Sequence, residues 1–293
     1  MESLDKNFLK EILNCPICEG ISKKIDVVKT INPKSQDTLD LMQCQNCGHW
    51  WISPLPSQDY LLKLYEDGSE FVVSKNYKGS DEISDDKLKK FFNKLIKFVE
   101  HKDLKKLNYL EIGCGSGYIL NYFRKKINKC IGVEPGSWKP DGNDIVNSID
   151  EIPNDMKFDI FVINNVLEHL TDPLSLLEKL GKIANNSAVI YLTFPNKDCL
   201  TAKFLRGKWP MVRPIGHLHY FSKKSVKIMF GKSNWKIKKI YSYWASNSFI
   251  DLIKSFNWDV KNPLKLIYRF LFKFLILQVI MSKDQWHITG IKL

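Results

Sequence analysis

The chain has 293 residues, 44% of them hydrophobic and 26% charged, which is ordinary for a globular protein of one large unit plus an appendage, or of two modest units. A net charge of +12 suits a polyanionic partner or an anionic membrane surface. Only four of the 44 basic residues are arginine, however (Arg124, Arg206, Arg213 and Arg269), and arginine is the side chain best matched to specific phosphate and base contacts, so the lysine bias disfavours nucleic acid and leaves an anionic small substrate or a membrane surface.

The first residues, MESLDKNFLKEILN, lack the apolar stretch and small-residue cleavage site of a secretory signal, so a cytoplasmic location is the default expectation. Seven cysteines, an odd count, do not suggest a disulfide framework. Four of them form two Cys-x2-Cys knuckles, Cys15-Pro-Ile-Cys18 and Cys44-Gln-Asn-Cys47-Gly48, separated by 25 residues. Each knuckle lets two thiolates converge on one ion, and four thiolates close a tetrahedral zinc shell with no position left for water. Such a site is structural. His49 follows the second knuckle and is expected not to be a ligand. Cys114, Cys130 and Cys199 lie in apolar or glycine-rich surroundings and read as buried free thiols.

Pro54 and Pro56 mark an extended linker. Ser57 then caps a short helix to about residue 66. A second helix is expected at about 85–101, where Leu88, Phe91, Phe92, Leu95, Ile96 and Val99 recur at helical spacing.

YLEIGCGSGYIL, residues 109–120, reads as a buried strand (109–112), a turn with Gly113, Gly115 and Gly117, and a helix from Tyr118 to Lys125. Glycines let backbone pass close to a ligand at the end of a first strand. A second short strand, Cys130 to Val133, ends at Glu134, 21 residues after Gly113, the spacing of a carboxylate that holds ribose hydroxyls. The G-x-G-x-G spacing differs from the dinucleotide pattern, and the absence of a phosphate-cradling lysine excludes a P-loop. Further strands are expected at Asp144–Asn147, Phe158–Ile163 and Ser187–Phe194, with a last one near 286–292. Asp172 and Pro173 open a helix whose Leu174, Leu177, Leu180 and Ile183 form one apolar face. This alternation implies an α/β fold, a parallel sheet wound on both faces.

These residues resemble the class I S-adenosylmethionine-dependent methyltransferases, through EIGCGSG, GVEPG, FDIFVINNVLEHL and YLTFPN, from about residue 107 to the C-terminus. The stretch Cys15 to Tyr65, with its knuckles, aromatic run and Pro-x-Pro-Ser, and the later HLHYFS (217–222), look like the subgroup that carries an N-terminal zinc module. The resemblance implies a Rossmann-like seven-stranded sheet with a small zinc-ribbon-like module, divided as 1–56 zinc module, 57–105 helical linker or cap, and 106–293 methyltransferase domain. It implies that Glu111 reaches the methionine amino group of the cofactor, that Gly113, Gly115 and Gly117 line the methionine and ribose, and that Glu134 holds the ribose. By the same resemblance Ser148 and Ile149 meet adenine, and Asn164 and Asn165 meet the cofactor at the fourth strand. It also implies a sugar or nucleotide-sugar acceptor. RNA or protein methylation, or cofactor binding without catalysis, stand as alternatives.

Glu168 and His169 are consecutive polar residues at the sheet's ligand-binding edge. A hydroxyl acceptor needs its proton removed, and a histidine is a suitable base at neutral pH. His169 is therefore the expected base, with Glu168 orienting it or the substrate. His217 and His219, two apart on a strand-like segment, are expected to share a face towards the acceptor. Tyr65 and Tyr77 are placed to close over the site. The apolar segment 263–281 carries Lys265, Arg269 and Lys273 as one stripe. It suits a helix docked on the domain or a second subunit, or one lying in a membrane interface as a peripheral contact.

Overall fold

The structure, a computed structural model, describes residues 4–30, 37–66, 84–100, 103–136, 139, 142, 144–153, 155–243 and 284–293. Tyr77 and the segment 263–281 lie outside the described residues, as does the side chain of Tyr65.

The N-terminal part is built from β1 (Leu9–Lys10), β2 (Ser22–Lys29), β3 (Thr38–Cys44), β4 (Trp50–Ser53) and β5 (Leu55–Pro56). The segment read as a linker is paired: Leu9 faces Pro56 and Lys10 faces Leu55 in a two-stranded ladder. A proline lacks a donor and tolerates such an edge position. Helices α1 (Gln58–Glu66) and α2 (Asp85–Ile96) follow. Ser57 caps α1, its Oγ accepting the Tyr60 N–H at 3.3 Å. Helix α2 stops at Ile96, five residues short of the expected end, while Val99 still packs in the core beyond it.

The larger sheet comprises β6 (Asn108–Ile112), then α3 (Tyr118–Arg124), β7 (Lys129–Val133), β8 (Ile145–Val146), β9 (Phe158–Asn164), α4 (Pro173–Lys182) and β10 (Ala184–Pro195). After α5 (Leu200–Leu205), β11 (His219–Tyr220) and α6 (Lys223–Lys232) come β12 (Trp235–Tyr243) and β13 (Gln285–Lys292). The seven strands run in the order β12-β13-β10-β9-β6-β7-β8. Strands β6 to β10 are mutually parallel, and β13 inserts antiparallel between β10 and β12. This is a mixed Rossmann-like sheet. Its order reverses at β6, so the crevice beyond the ends of β6 and β9 is the topological switch point where ligands bind.

Strand alternation divides the core. Tyr109, Ile160, Val162, Val189 and Tyr191 point to one layer, against Phe92, Leu95, Leu120 and Phe123. Leu110, Ile112, Phe161, Ile163, Ile190 and Leu192 point to the other, against Leu177, Leu180, Val226, Met229 and Phe230. Asp172 starts α4 as expected, its carboxylate accepting the Ser175 N–H at 3.0 Å, a cap worth about 1 kcal/mol.

Strands β2 to β4 share their sheet with a strand from much later in the chain. Their four-stranded sheet runs β11-β4-β3-β2, and its edge strand comes from residues 219–220, with His219 opposite Trp51 and Tyr220 opposite Trp50. The same core that holds β9 and β10 takes in Cys15, Ile17, Cys44, Cys47 and Trp51. Among the described residues no helix is long and apolar enough to cross a membrane.

Candidate functional site

A cavity of about 1000 Å³ opens at the switch point. Its floor is the turn after β6 and its walls are the ends of β7 and β9, the segment 211–217 and one side of α1.

Gly113 has φ +69°, and a Cβ there would sit 2.3 Å from Val166 Cγ2, so the turn is closed to larger side chains by both conformation and contact. Gly115 also lines the cavity, whereas Gly117 does not; at φ +77° it is the residue that turns the chain into α3. Glu134 is buried at the end of β7. Its Oε2 accepts the Gly115 N–H at 2.9 Å and its Oε1 accepts the Gly136 N–H at 2.9 Å. Glu111, also in the wall, is 2% exposed. Burial pushes its carboxyl up to about 8, against the opposing Tyr109 hydroxyl, which donates to Oε2 at 2.9 Å. Ser148 and Ile149 line the cavity, and the Ser148 hydroxyl is engaged as a cap for the turn it opens. Asn164 and Asn165 line it too. The Thr193 hydroxyl donates to Asn164 Oδ1 and also accepts the Asn165 N–H at 3.2 Å. A glycine cradle beside an oriented carboxylate fits an adenosylmethionine ligand.

Glu168 and His169 fall in a short 3₁₀ turn, Leu167–His169, directly after β9. Glu168 is 1% exposed, and burial pushes its carboxyl up to about 8. Its Oε1 stands 3.9 Å from His169 Nε2, too far for a hydrogen bond, and its buried Oε2 has no partner among the described residues. The His217 ring meets the His169 ring edge-on, with centroids 4.8 Å apart. His217 Nδ1 lies 2.7 Å from the Met211 carbonyl, which can only accept, so Nδ1 carries the proton and Nε2 the lone pair. Burial holds both imidazoles below the usual range, and for His217 the neighbouring His169 adds to it.

His219 does not share this face. It is absent from the cavity wall, and its Nδ1 pairs with His49 Nε2 at 3.1 Å. Its Nε2 faces the Thr171 carbonyl at 3.4 Å, which leaves Nδ1 to accept from His49. The pair ties the residue that precedes β4 to β11 inside the protein, and burial lowers both imidazoles. The expectation that alternation pairs His217 with His219 fails because only residues 219–220 are in a strand; His217 precedes it in irregular backbone.

The four knuckle cysteines converge. Cys15 Sγ is 3.6 Å from Cys47 Sγ, Cys18 Sγ is 3.4 Å from Cys44 Sγ, and all four lie within 4.8 Å of one another. Thiolates around one zinc at ~2.3 Å stand ~3.8 Å apart, so the donor set fits that ion. The Cys47 thiol beside it holds Cys15 down, to about 5. Cys114, Cys130 and Cys199 are buried free thiols, as the sequence suggests.

Arg213 and Gln58 of α1, which accepts the Thr171 hydroxyl at 2.8 Å, also line the cavity and are not among the expected site residues. The scarcity of arginine was the one available signal for Arg213.

The sequence profile of the methyltransferase-domain family matches residues 84–240. No curated protein matches the chain. Among solved structures, the chain is similar to a SAM-dependent methyltransferase from Archaeoglobus fulgidus, at 18% identity and TM-score 0.47, covering 71% of this chain and 95% of that one. It is also similar to an S-adenosylmethionine-dependent methyltransferase from Mesorhizobium loti, at 10% identity and TM-score 0.45, covering 69% and 97%. Coclaurine N-methyltransferase is similar at 12% identity and TM-score 0.44, covering 80% and 81%.

Proposed function

The chain belongs to the class I S-adenosylmethionine-dependent methyltransferases, and from that membership we propose that it methylates a hydroxyl of a small, anionic, sugar-derived acceptor. The observation that carries this reading is one cavity holding two chemistries. The glycine cradle and Glu134 line it together with Glu168, His169, His217 and Arg213. A volume of about 1000 Å³ is at the top of the range for small-molecule sites and accommodates a cofactor together with a compact acceptor.

When bound, S-adenosylmethionine supplies an electrophilic methyl group on sulfur. The chain's residues do the rest. Glu134 orients the ribose, Glu111 offers a carboxylate to the amino group, and the Gly113 and Gly115 backbone admits both close to the strand ends. Ser148 and Ile149 face the adenine, and Asn164 and Asn165 close the wall at β9. Alignment of acceptor and methyl group supplies much of the acceleration. The acceptor proton leaves at the Glu168–His169–His217 end, where the neutral His169 is the available base. The rim residue Arg213 suits a phosphate or carboxylate on the acceptor. The sugar class rests on the motif resemblance, and the cysteine knuckles are read as a structural zinc module over residues 1–56, joined through 57–105 to a methyltransferase domain over 106–293.

The test is transfer of label. Methyl-labelled S-adenosylmethionine and the purified protein are added to an extract of source cells lacking the gene, and the label is fractionated. Label in small, phosphate-bearing sugars is the expected result. Label in RNA, protein or lipid overturns the acceptor class.

A further inference from the structure

Glu168, His169 and His217 offer one carboxylate oxygen and two imidazole nitrogens that all lie within 4.8 Å of one another in the cavity wall. We propose that these three residues hold a divalent transition-series cation at the acceptor end of the site. It rests on the methyl-transfer reading for the cation's role, though not for its binding.

Three observations carry it. The first is Glu168 Oε2, a carboxylate oxygen on a side chain 1% exposed, with no hydrogen-bond partner among the described residues. Leaving such a group unsatisfied costs ~1–3 kcal/mol, which a cation would offset. The second is what Glu168 and His169 do not do. In a simple acid–base dyad the carboxylate would orient the ring through a hydrogen bond, yet Oε1 and Nε2 stand 3.9 Å apart. They converge on shared space rather than on each other. The third is the support behind His217. Its Nδ1–H donates to the Met211 carbonyl at 2.7 Å, which fixes the ring and leaves Nε2 as the donor atom. Histidine ligands of metals are held in this way.

The donor set selects the ion. Two imidazoles and one carboxylate suit Mn²⁺, Fe²⁺, Co²⁺ or Zn²⁺, whereas Mg²⁺ and Ca²⁺ prefer oxygen. Ligand atoms around such an ion stand ~3.3 Å apart, so binding requires small side-chain rotations to draw the three together. Three protein ligands leave open positions, the arrangement of a catalytic rather than a structural site.

An acceptor hydroxyl taking an open position is acidified by the cation. Its proton passes to solvent water. The oxygen lone pair then forms the bond to the methyl carbon, the carbon–sulfur bond breaks with its electron pair returning to sulfur, and the cation leaves the cycle unchanged. In this form His169 is a ligand, and the cation replaces it as the means of removing the proton.

The experiment is a Mn²⁺ titration followed by electron paramagnetic resonance, on full-length protein with its cysteine site already loaded with zinc. Co²⁺ calorimetry and S-adenosylhomocysteine binding are measured in parallel. One Mn²⁺ per chain is expected. Glu168→Gln, which is isosteric, and His217→Ala should each weaken it at least tenfold while S-adenosylhomocysteine still binds. Retained nucleoside binding also shows that the variants fold. If S-adenosylhomocysteine binds but neither Mn²⁺ nor Co²⁺ does, or if Glu168→Gln binds them as the wild type does, the cation site is overturned and the methyltransferase reading stands. Cation binding that needs Glu168 and His217 in a protein that binds no S-adenosylhomocysteine supports the site and removes the methyl-transfer reading.

Discussion

Tyr109 donates its hydroxyl proton to Glu111 Oε2 at 2.9 Å, two residues along one face of β6. The bond fixes a carboxyl that burial has pushed up to about 8 from an ordinary 4.5. Because the folded pKa lies above the unfolded one, ionising Glu111 opposes folding: the penalty is absent below about 4.5 and complete above about 8. The ligand-free protein should therefore lose stability across that window, by at least ~1.4 kcal/mol, and Glu111→Gln should flatten the loss. Cofactor binding has the opposite sign. A ligand ammonium favours the ionised form, so affinity should rise with pH up to about 8, by as much as tenfold per unit. Calorimetry of S-adenosylmethionine binding across pH 6–9 checks this against Glu111→Gln. The ligand's own titration is common to both proteins, so their difference isolates Glu111. Parallel curves would remove Glu111 from cofactor binding.

Gly113→Ala tests the cradle. At φ +69° any side chain carries ~1–3 kcal/mol of strain, and the new Cβ would lie 2.3 Å from Val166 Cγ2. The variant should melt several degrees lower and bind cofactor at least tenfold more weakly. Val166→Ala in the same chain removes the clash but not the strain, so the double variant should recover part of the loss. No recovery would mean that conformation alone closes this position.

The cysteine cluster should carry one zinc per chain, measured by atomic emission. The four sulfurs already lie within 4.8 Å of one another, and an empty shell would leave them mutually repelling or protonated. Strong chelators should lower the melting temperature by several degrees, and Cys44→Ser should abolish zinc binding. The effect should reach the larger sheet, because Ser222, the cap of α6, donates its hydroxyl to the Cys47 carbonyl at 2.6 Å. Unchanged melting after verified zinc removal would contradict a structural role.

The sequence exposed those features whose signal is local. The β6 turn, Glu134 after β7 and the Asp172 cap depend on neighbours a few residues away. Strand β10 begins at Ala184, three residues before the expected start; Ala184, Asn185 and Asn186 offer no apolar run by which the sequence would show it. Strand β12 was not anticipated. Its Lys236, Lys238 and Lys239 suit a sheet edge, and an irregularity between Ile237 and Lys239 breaks the alternation that would have betrayed it. In the site, Glu168 and His169 are legible from the strand end, but their neighbour His217 lies 48 positions beyond His169 and is brought in by tertiary packing. Alternation misdirected His219 for the same reason: its partner, His49, comes from the far end of the chain.

That shared interior makes a last prediction. His49 meets Phe221 with ring centroids 5.0 Å apart, and Phe221 meets Phe194 of β10 at 4.6 Å, so aromatic packing runs unbroken from the knuckle to the larger sheet. Trp51, fully buried on β4, donates its indole N–H to the Ile12 carbonyl at 3.1 Å and faces His219 across the ladder. Trp51→Ala removes a large core side chain, at a cost of ~3–5 kcal/mol. If the N-terminal region and the methyltransferase sheet unfold together, scanning calorimetry should show one transition, moved down as a whole. Two transitions, only the lower of them displaced, would mean that the N-terminal strands and β11 come apart while the seven-stranded sheet remains folded. The strand that β11 contributes to the smaller sheet favours the single transition, since separating the two regions must also break its pairing with β4.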